Sequence, residues 1–184
     1  MLKVGIIPGS TRPNRKSIDV ATWVFEIARK RGDAAYEVVD IKDFELPLLD
    51  EPMPPSMGQY RQPHTKRWAA KIASLDAFVF VSPEYNHGIP AALKNAIDFL
   101  FAEWKDKAAG FVSYGGAGGA RAVEHLRLVL AEVQVATVRA QVLLSIRSDF
   151  ESFTTFKPEA HHEKSVGAVL DQVVAWAGAL KQLR

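Results

Sequence analysis

The segment DAFVFVSPEYNHGIPAALKNAIDFL, Asp76 to Leu100, holds the signals that decide the fold. Its first part, DAFVFVS, is a short continuous apolar run, which is the pattern of a strand buried on both faces. The polar gap PEYNHG follows, and a helix is predicted from about Pro90 to Phe101. A plain connection between two buried elements needs only a turn residue and a helix cap. This gap also contains an acidic, an aromatic, an amide and an imidazole side chain, which makes it a candidate functional site.

The same alternation of strand and helix extends along the whole chain. Four further segments predict strands: LKVGIIP, YEVVDI, AAGFVSY and VQVATVRAQVLL. Helices are predicted over about Ile18–Arg31, His64–Ser74, Arg121–Glu132 and Glu163–Leu183. Strands that alternate with helices pair in parallel through right-handed crossovers. The expected fold is therefore α/β, a doubly wound five-stranded parallel sheet in the order 2-1-3-4-5 with helices on both faces, as a single domain over residues 1–184.

Composition narrows the class of protein. The 184 residues are 48% hydrophobic and 24% charged, as in an ordinary soluble domain. The 23 basic and 21 acidic residues are spread along the chain, so no basic stripe indicates nucleic acid. The absence of cysteine excludes disulfides and thiolate chemistry and fits a reducing cytoplasm. No stretch has the length and apolar character of a membrane span, so a cytoplasmic protein with neither membrane nor nucleic acid as partner is expected.

Two segments do not fit a regular element. The segment KDFELPLLDEPMPPSMGQYRQP holds five of the ten prolines and predicts a long ordered surface loop. The segment DFESFTTFKPEAHH, between the fifth strand and the last helix, is expected to be irregular.

The two loops that are richest in polar and charged side chains are expected to face each other. In a sheet of this order, ligands bind outside the carboxyl ends of the first and third strands. The first strand ends at PGSTRPNRKS and the third at SPEYNHG. The first loop combines a turn glycine with hydroxyls, cations and the free N–H groups of the next helix, which are the parts of a phosphate site. A solvated turn whose serines cap a helix remains the alternative.

The motifs in these loops, and in a third loop rich in glycine, indicate the kind of ligand. Neither a P-loop nor a G-x-G-x-x-G follows the first strand, so any anion is expected to be a monophosphate. In PEYNHG, an aromatic face, an amide and a glycine favour a flat aromatic ligand. His87 lacks a second ligand at a recognisable spacing, so no metal site is predicted, and the pair His161–His162 is expected to be exposed. The glycines of SYGGAGGAR indicate either a backbone that approaches something closely or a flexible connection.

Three segments together resemble the NADPH-dependent FMN reductases, a family that includes quinone, azo-dye and chromate reductases: GSTRPNR, FVSPEYNHGIPAALKNAIDFL and VSYGGAGGARA. The PEYN segment followed by a P-x-x-L-K-N-A-x-D helix is the most specific of them. The resemblance covers nearly the whole chain and implies a flavodoxin-like fold that binds FMN.

The resemblance also implies a role for each loop. The first loop would hold the FMN phosphate, through Ser10, Thr11, Arg12, Arg15 and Ser17. The PEYN loop would run along the isoalloxazine ring and place beside it Pro83, Glu84, Tyr85, Asn86, His87 and Gly88. The glycine loop would approach the pyrimidine edge of the ring through Ser113, Tyr114, Gly115, Gly116 and Gly119. Many relatives carry a small residue and Ser-Phe-Asn in the first loop where this chain has NRKSID.

The activity that follows from the resemblance is an FMN-dependent NAD(P)H oxidoreductase. A hydride would move from NADPH or NADH to the flavin N5, and a small-molecule acceptor would take the electrons in a second, ping-pong half-reaction. The acceptor could be a free flavin, a quinone, an azo compound or a metal oxyanion. No catalytic side chain is expected, because the flavin carries the chemistry. The alternatives are a non-enzymatic FMN electron carrier, which would usually be strongly acidic where this chain has a pI of about 8.8, and a flavin- or quinone-sensing regulator.

Self-association is the last expectation. The proline-rich loop and FLFAEW, at the end of the third predicted helix, are expected to expose more apolar surface than a monomer leaves in water. The family resemblance implies a homodimer or homotetramer with the flavin near the subunit interface.

Overall fold

The computed structural model describes all residues, Met1–Arg184. Five parallel strands form one sheet in the order β2-β1-β3-β4-β5, which confirms the predicted topology. The strands are β1 Lys3–Pro8, β2 Ala35–Val38, β3 Ala77–Pro83, β4 Lys107–Gly115 and β5 Val135–Ser145. The helices are α1 Ser17–Ala28, α2 Pro63–Ala73, α3 Ala91–Asp98, α4 Ala120–Glu132 and α5 His161–Leu180. None of these helices combines the length and hydropathy that a membrane span requires.

The central strand β3 is buried at all seven of its positions, as its continuous apolar run predicts. Because side chains alternate along a strand, it contributes to both sides of the sheet. Val79 and Val81 join the cluster under α1 and α5, and Phe78 and Phe80 join the cluster under α2, α3 and α4. The sheet thus separates two hydrophobic cores of similar size.

A glycine in β4 sets how closely the last helix packs. A Cβ atom added at Gly110 would lie 2.5 Å from Cγ1 of Val169 and 2.8 Å from Cγ2 of Val173, both on α5. Such distances leave no room for a side chain, so the absence of one lets α5 lie directly on the sheet.

The proline-rich segment is irregular, as predicted, and the protein holds it by hydrogen bonds. Two short 3₁₀ helices, Ile41–Phe44 and Pro55–Met57, interrupt it. The side chain of Asn95 on α3 donates to the Pro47 carbonyl and accepts from the N–H of Leu49. These bonds tie the segment to the helix that follows the PEYN loop.

The large apolar side chains of FLFAEW are buried or half-buried, so the expectation that the segment exposes apolar surface is wrong. The helix α3 ends at Asp98, and the chain then turns inward instead of continuing along the surface. Phe99 and Trp104 have no exposed surface. The Trp104 ring packs edge-on against Trp68, and its indole N–H donates to the carbonyl of Ile97 at 3.1 Å.

The segment after β5 is also more regular than expected. It forms a small antiparallel hairpin of β6, Phe150–Glu151, and β7, Thr155–Phe156. Each strand has only two residues, which is too short for a periodic pattern in the sequence. The helix α5 then begins at His161, two residues before the predicted start.

Candidate functional site

The loops that follow β1 and β3 lie against each other at the carboxyl edge of the sheet. The hydroxyl groups of Ser10 and Tyr85 are 2.8 Å apart and share a hydrogen bond. The Arg12 guanidinium carbon lies 5.8 Å from the centre of the Tyr85 ring, within the range of a cation–π contact. The loop after β4 joins them, because the N–H of Glu84 donates to the Tyr114 carbonyl at 3.1 Å. The three loops singled out in the sequence therefore meet at one crevice.

A glycine brings the first loop close to the sheet. The N–H of Gly9 donates to the Val81 carbonyl at 2.8 Å, and a Cβ at Gly9 would lie 2.9 Å from Cδ2 of Leu93. The next side chain, Ser10, is buried, and its hydroxyl also accepts from the N–H of Arg12. Thr11 is exposed to solvent.

A cleft of about 250 Å³ opens between the first loop and its neighbours. Its lining contains three cationic side chains and no carboxylate. The lining residues are Arg12, Asn14, Arg15, Lys16, Tyr85, Tyr114, Phe153 and Thr154. Cations together with aromatic rings suit an anionic group attached to an apolar or aromatic body.

Arg15 is the most constrained cation in this cleft. Its guanidinium forms an ion pair with Asp40, which follows β2, and only 10% of its side chain is exposed. Its Nε atom is buried and has no hydrogen-bond partner in the protein. A buried donor without a partner is unfavourable, which makes Arg15, at the wall of the cleft, a candidate for binding an acceptor.

The amino end of α1 adds backbone donors to the same place. Helix α1 begins at Ser17, and no side chain caps it. The N–H groups of a first helical turn have no partner within the helix and carry a partial positive charge. Ser17 itself is fully buried, and its hydroxyl donates to the Ser10 carbonyl at the long distance of 3.5 Å.

The PEYN segment forms a tight turn. Tyr85 and Gly88 exchange two backbone hydrogen bonds, each of 3.0 Å. Between them, Asn86 and His87 adopt positive φ angles of 47° and 74°, as in the two-residue turns that reverse a chain most tightly. Both side chains are exposed, and the His87 ring lies 6.0 Å from that of His125 on α4. Asn86 and His87 therefore stand at the tip of the loop, and Tyr85 lies at the cleft.

Glu84 is held by the next helix. Its carboxylate accepts hydrogen bonds from the Arg121 side chain and from the N–H groups of Arg121 and Ala122, at the start of α4. Burial alone would raise the pKa of the Glu84 carboxyl, but these donors outweigh it and the pKa lies below its ordinary value. Glu84 thus fastens the PEYN loop, which begins with the buried Pro83, to the glycine loop.

The glycines of the third loop pack against the protein itself. Gly119 has a φ of 75°, and an added Cβ would lie 2.7 Å from Cβ of Ser113. At Gly118, with a φ of 65°, an added Cβ would lie 2.9 Å from Cβ of Leu143. By contrast, a Cβ at Gly116 would meet nothing within 4 Å. The close approach that these glycines permit is therefore to the chain's own strands at Gly118 and Gly119, and open space remains beside Gly116.

The remaining predicted residues divide between the cleft and the interior. Tyr114 is mostly buried and lines the cleft, and burial raises the pKa of its phenol. Ser113 is fully buried, and its hydroxyl donates to the Gly118 carbonyl at 2.7 Å, beneath the glycine loop. A Cβ at Gly115 would lie 3.3 Å from Cβ of Glu84, so this glycine allows the two loops to touch.

Two residues of the cleft lie outside the sequence interpretation. Phe153 and Thr154, at the tip of the β6–β7 hairpin, form part of its wall. A sequence signal for them was present in SFTT between Phe150 and Phe156, a polar turn between two aromatic residues, but strands of two residues give it little weight.

Comparison with known proteins shows a family. The family model for the NADPH-dependent FMN reductases matches residues 2–149 of this chain. An NAD(P)H-dependent FMN reductase of Schizosaccharomyces pombe is 42% identical over 149 residues, which are 80% of this chain and 74% of the relative. An NAD(P)H:quinone oxidoreductase of Solanum tuberosum is 37% identical over 134 residues, 70% of this chain and 67% of the relative. Among solved structures, a flavoenzyme NAD(P)H:(acceptor) oxidoreductase of Paracoccus denitrificans superposes with a TM-score of 0.74 at 22% identity, covering 97% of this chain and 98% of that one, which shows a shared fold.

Proposed function

This chain belongs to the NADPH-dependent FMN reductase family, and we propose that its cationic cleft beside α1 holds the FMN phosphate. It is an oxidoreductase that uses FMN with NAD(P)H as the electron donor. The buried, unpartnered Nε of Arg15 is the observation that carries the proposal. Arg12 and Lys16 line the same cleft, and the open first turn of α1 adds N–H donors. This donor set suits a phosphate monoester, which offers several acceptor oxygens and a double negative charge.

The body of the cofactor would extend from the cleft along the PEYN and glycine loops. Tyr85 and Tyr114 line the cleft together with the cations. Their aromatic rings would contact the part of the cofactor that extends from the phosphate towards the two loops. Glu84 keeps the two loops together through Arg121, and the open space beside Gly116 allows backbone to approach a flat ring. When bound, FMN supplies the redox chemistry, which is transfer of a hydride from NAD(P)H and delivery of the electrons to an acceptor. The protein residues bind and orient it, and no side chain here has to act as a nucleophile or a general base.

We infer that the acceptors are small oxidants such as quinones. Relatives of this chain are named both FMN reductase and quinone oxidoreductase. The exposed turn of Asn86 and His87 leaves the edge of the crevice open to solvent. An open crevice admits flat acceptors of different kinds, which include quinones, free flavins and azo compounds.

We also propose that the protein is a homo-oligomer, a homodimer or homotetramer, in the cytoplasm. The proline-rich segment exposes several apolar side chains, among them Leu48 at 83%, Leu49 and Met57. Exposed apolar groups favour burial against another surface, and a second copy is the proposed partner. Light scattering coupled to size exclusion tests this, and a monomer at all concentrations would contradict it.

The phosphate assignment is tested with two ligands that differ only in the phosphate. FMN and riboflavin would be titrated into the apoprotein and into the Arg12→Ala and Arg15→Gln variants, with flavin fluorescence as the readout. We expect each substitution to weaken FMN binding about tenfold or more, because a charge-assisted contact contributes on the order of 1.5–3 kcal/mol. Riboflavin binding should change little.

A matched control is Arg29→Ala, which removes an exposed cation at the other end of α1. It should leave the affinity for both ligands unchanged. Equal losses of FMN and riboflavin affinity in the Arg12 and Arg15 variants would contradict a phosphate site here. Failure of the intact protein to bind FMN, or to oxidise NADPH with a quinone, would contradict the cofactor assignment itself.

A further inference from the structure

The β6–β7 hairpin lies just beyond the part of the chain that the family model matches. That match ends at residue 149, and the hairpin begins at Phe150. The hairpin is nevertheless part of the candidate site, because Phe153 and Thr154 at its tip line the cationic cleft. The site is therefore wider than the segment that the family model matches.

The buried carboxylate of Asp149 forms hydrogen bonds at both ends of the hairpin. Asp149 is 1% exposed and accepts from the N–H of Ser145, at the end of β5, and from the N–H of Glu159, which follows the hairpin. His162 on α5 lies 3.1 Å from the same carboxylate and is buried, so the expectation that the pair His161–His162 is exposed holds only for His161. The N–H of Lys157 donates to the Asp149 carbonyl at 2.8 Å. With its base held from β5, from α5 and from the chain that follows it, the hairpin has a defined position over the cleft.

A row of aromatic rings fastens the hairpin to the body of the protein. Phe150 packs against Tyr114 with ring centres 5.5 Å apart, and against Phe156 at 5.2 Å. Phe156 in turn contacts Trp23 on α1, edge to face, at 5.5 Å. The hairpin is thus packed between a cleft residue and the helix whose amino end opens into the cleft.

The tip of the hairpin is different from its base. Ser152 and Phe153 both adopt positive φ angles, of 51° and 60°. A bulky residue rarely adopts this region, because its Cβ approaches the backbone too closely. Phe153 is also 67% exposed, so its ring contributes little to the core. The positive φ angles belong to a tight turn, because the N–H of Thr154 donates to the Glu151 carbonyl at 3.0 Å. A bulky residue at the centre of such a turn, with its apolar ring presented to solvent at the wall of a cleft, is unfavourable for the protein alone, which indicates a ligand-dependent role.

We propose that Phe153 is a cofactor-binding residue that covers the phosphate end of bound FMN and slows its release, a role that rests on the function proposed above. An apolar ring over the cleft would exclude water from the contacts of Arg12 and Arg15. Exclusion of water strengthens attraction between opposite charges, since the local dielectric falls. The main effect is expected on the dissociation rate, because the ring restricts exit once the ligand is in place.

The test uses Phe153→Gly, which removes the ring and relieves the backbone strain in one step. Glycine adopts positive φ freely, so the unfolding temperature of this variant should be no lower than that of the wild type. Dissociation of FMN, followed as recovery of flavin fluorescence after dilution, should be about tenfold faster. Riboflavin, which lacks the phosphate, should dissociate at a nearly unchanged rate.

The matched control is Gln134→Gly. Gln134 is exposed and has a similar φ of 58°, but it lies between α4 and β5, at the opposite end of the sheet. This substitution relieves the same kind of strain, so it should change stability in the same direction without altering FMN release. A second readout is chymotrypsin cleavage after Phe153 in the wild type, which bound FMN should slow and riboflavin should not.

The outcomes separate this inference from the proposed function. Faster FMN release with undiminished stability supports it. If the wild type binds FMN and oxidises NADPH but Phe153→Gly releases FMN at the wild-type rate, the inference fails and the function stands. Equal acceleration for riboflavin overturns the placement at the phosphate end. No FMN binding by the wild type overturns both.

Discussion

The Tyr85 and Ser10 hydroxyls, 2.8 Å apart, form the direct side-chain link between the loop after β1 and the loop after β3. The link fixes the Tyr85 ring at the wall of the cleft, beneath the Arg12 guanidinium. A hydrogen bond between residues 75 positions apart in the chain therefore helps to orient an aromatic face in the proposed cofactor site.

Replacing Tyr85 by phenylalanine should weaken FMN binding about fivefold, because a hydrogen bond contributes about 1 kcal/mol and the ring remains. Tyr85→Ala, which removes the ring as well, should cost at least twice as much free energy. Titration with flavin fluorescence measures both. The control is Tyr36→Phe, which removes a phenol that donates to Asp33 on the surface near β2, and which should leave FMN affinity unchanged. Identical affinities for wild type and Tyr85→Phe would mean that the hydroxyl link does not orient the ring.

Glu84→Gln should lower the free energy of unfolding at neutral pH by about 1–2 kcal/mol, a value reduced because Arg121 is half exposed. The folded pKa of this carboxyl lies below the ordinary value of 4.5, so its contribution is complete above that pH and is lost as the pH falls through the folded pKa. The difference between wild type and variant should therefore shrink in acid. Urea denaturation at several pH values measures it.

Glu124→Gln, on the helix α4 that carries Arg121, is the control, since the Glu124 side chain is 70% exposed. It should show neither the loss at neutral pH nor the convergence in acid. A Glu84→Gln difference that stayed constant from neutral to acid pH would argue against a charged Glu84 in the fold.

Gly119→Ala should destabilise the protein by about 3 kcal/mol. The methyl group would be placed 2.7 Å from Cβ of Ser113, and the backbone would be held at a φ of 75°. Left-handed backbone costs about 1–2 kcal/mol for a residue with a side chain, and overpacking adds a similar amount. Gly116→Ala, at a position with open space and no positive φ, should be within about 0.5 kcal/mol of the wild type. Thermal and urea denaturation of the two variants decide this, and equal effects would contradict the packing described.

Lys107→Met should alter how stability depends on pH above neutrality. The Lys107 ammonium is buried and donates to the Ile72 carbonyl at 2.6 Å, and burial lowers its pKa to about 8. Between about 8 and the ordinary value of 10.5, the unfolded chain holds this proton more tightly than the folded one does. The lysine's contribution to the free energy of unfolding therefore rises with pH in that window, by at most about 1.4 kcal/mol per unit.

The stability of wild type minus that of Lys107→Met should thus increase from about pH 8 upward. Lys105→Met is the control, because Lys105 is half exposed and should give a flat difference. A flat difference for Lys107→Met as well would show that burial does not shift this lysine.

Much of the fold could be predicted because its signals are local. The continuous apolar runs of β1 and β3 indicate strands buried on both faces, and alternation with helices restricts the pairing to a parallel sheet. FLFAEW could not be placed by the same reasoning, because an apolar segment at the end of a helix can face water or the core. Contacts with Trp68 from a distant helix decide that Trp104 lies inside.

The candidate site could likewise be predicted only in part. The loops could be located from the strands that they follow, and Tyr85 lies at the cleft. The partners of its charged residues could not be predicted, because they lie far apart in sequence: Arg15 pairs with Asp40 and Glu84 with Arg121. The hairpin was missed because its strands are two residues long and because Trp23 and Tyr114, which pack against it, lie in two distant parts of the chain.

The alternation of β3 between two cores has a consequence for how the protein unfolds. Phe78 and Phe80 face one layer of helices, and Ala77, Val79 and Val81 face the other. If one layer of helices detached, it would expose one face of β3, and the other face of β3 supports the second layer. Melting should therefore be a single cooperative transition, with the calorimetric enthalpy equal to the van't Hoff enthalpy. A sheet of this kind makes the two halves of the protein thermodynamically inseparable.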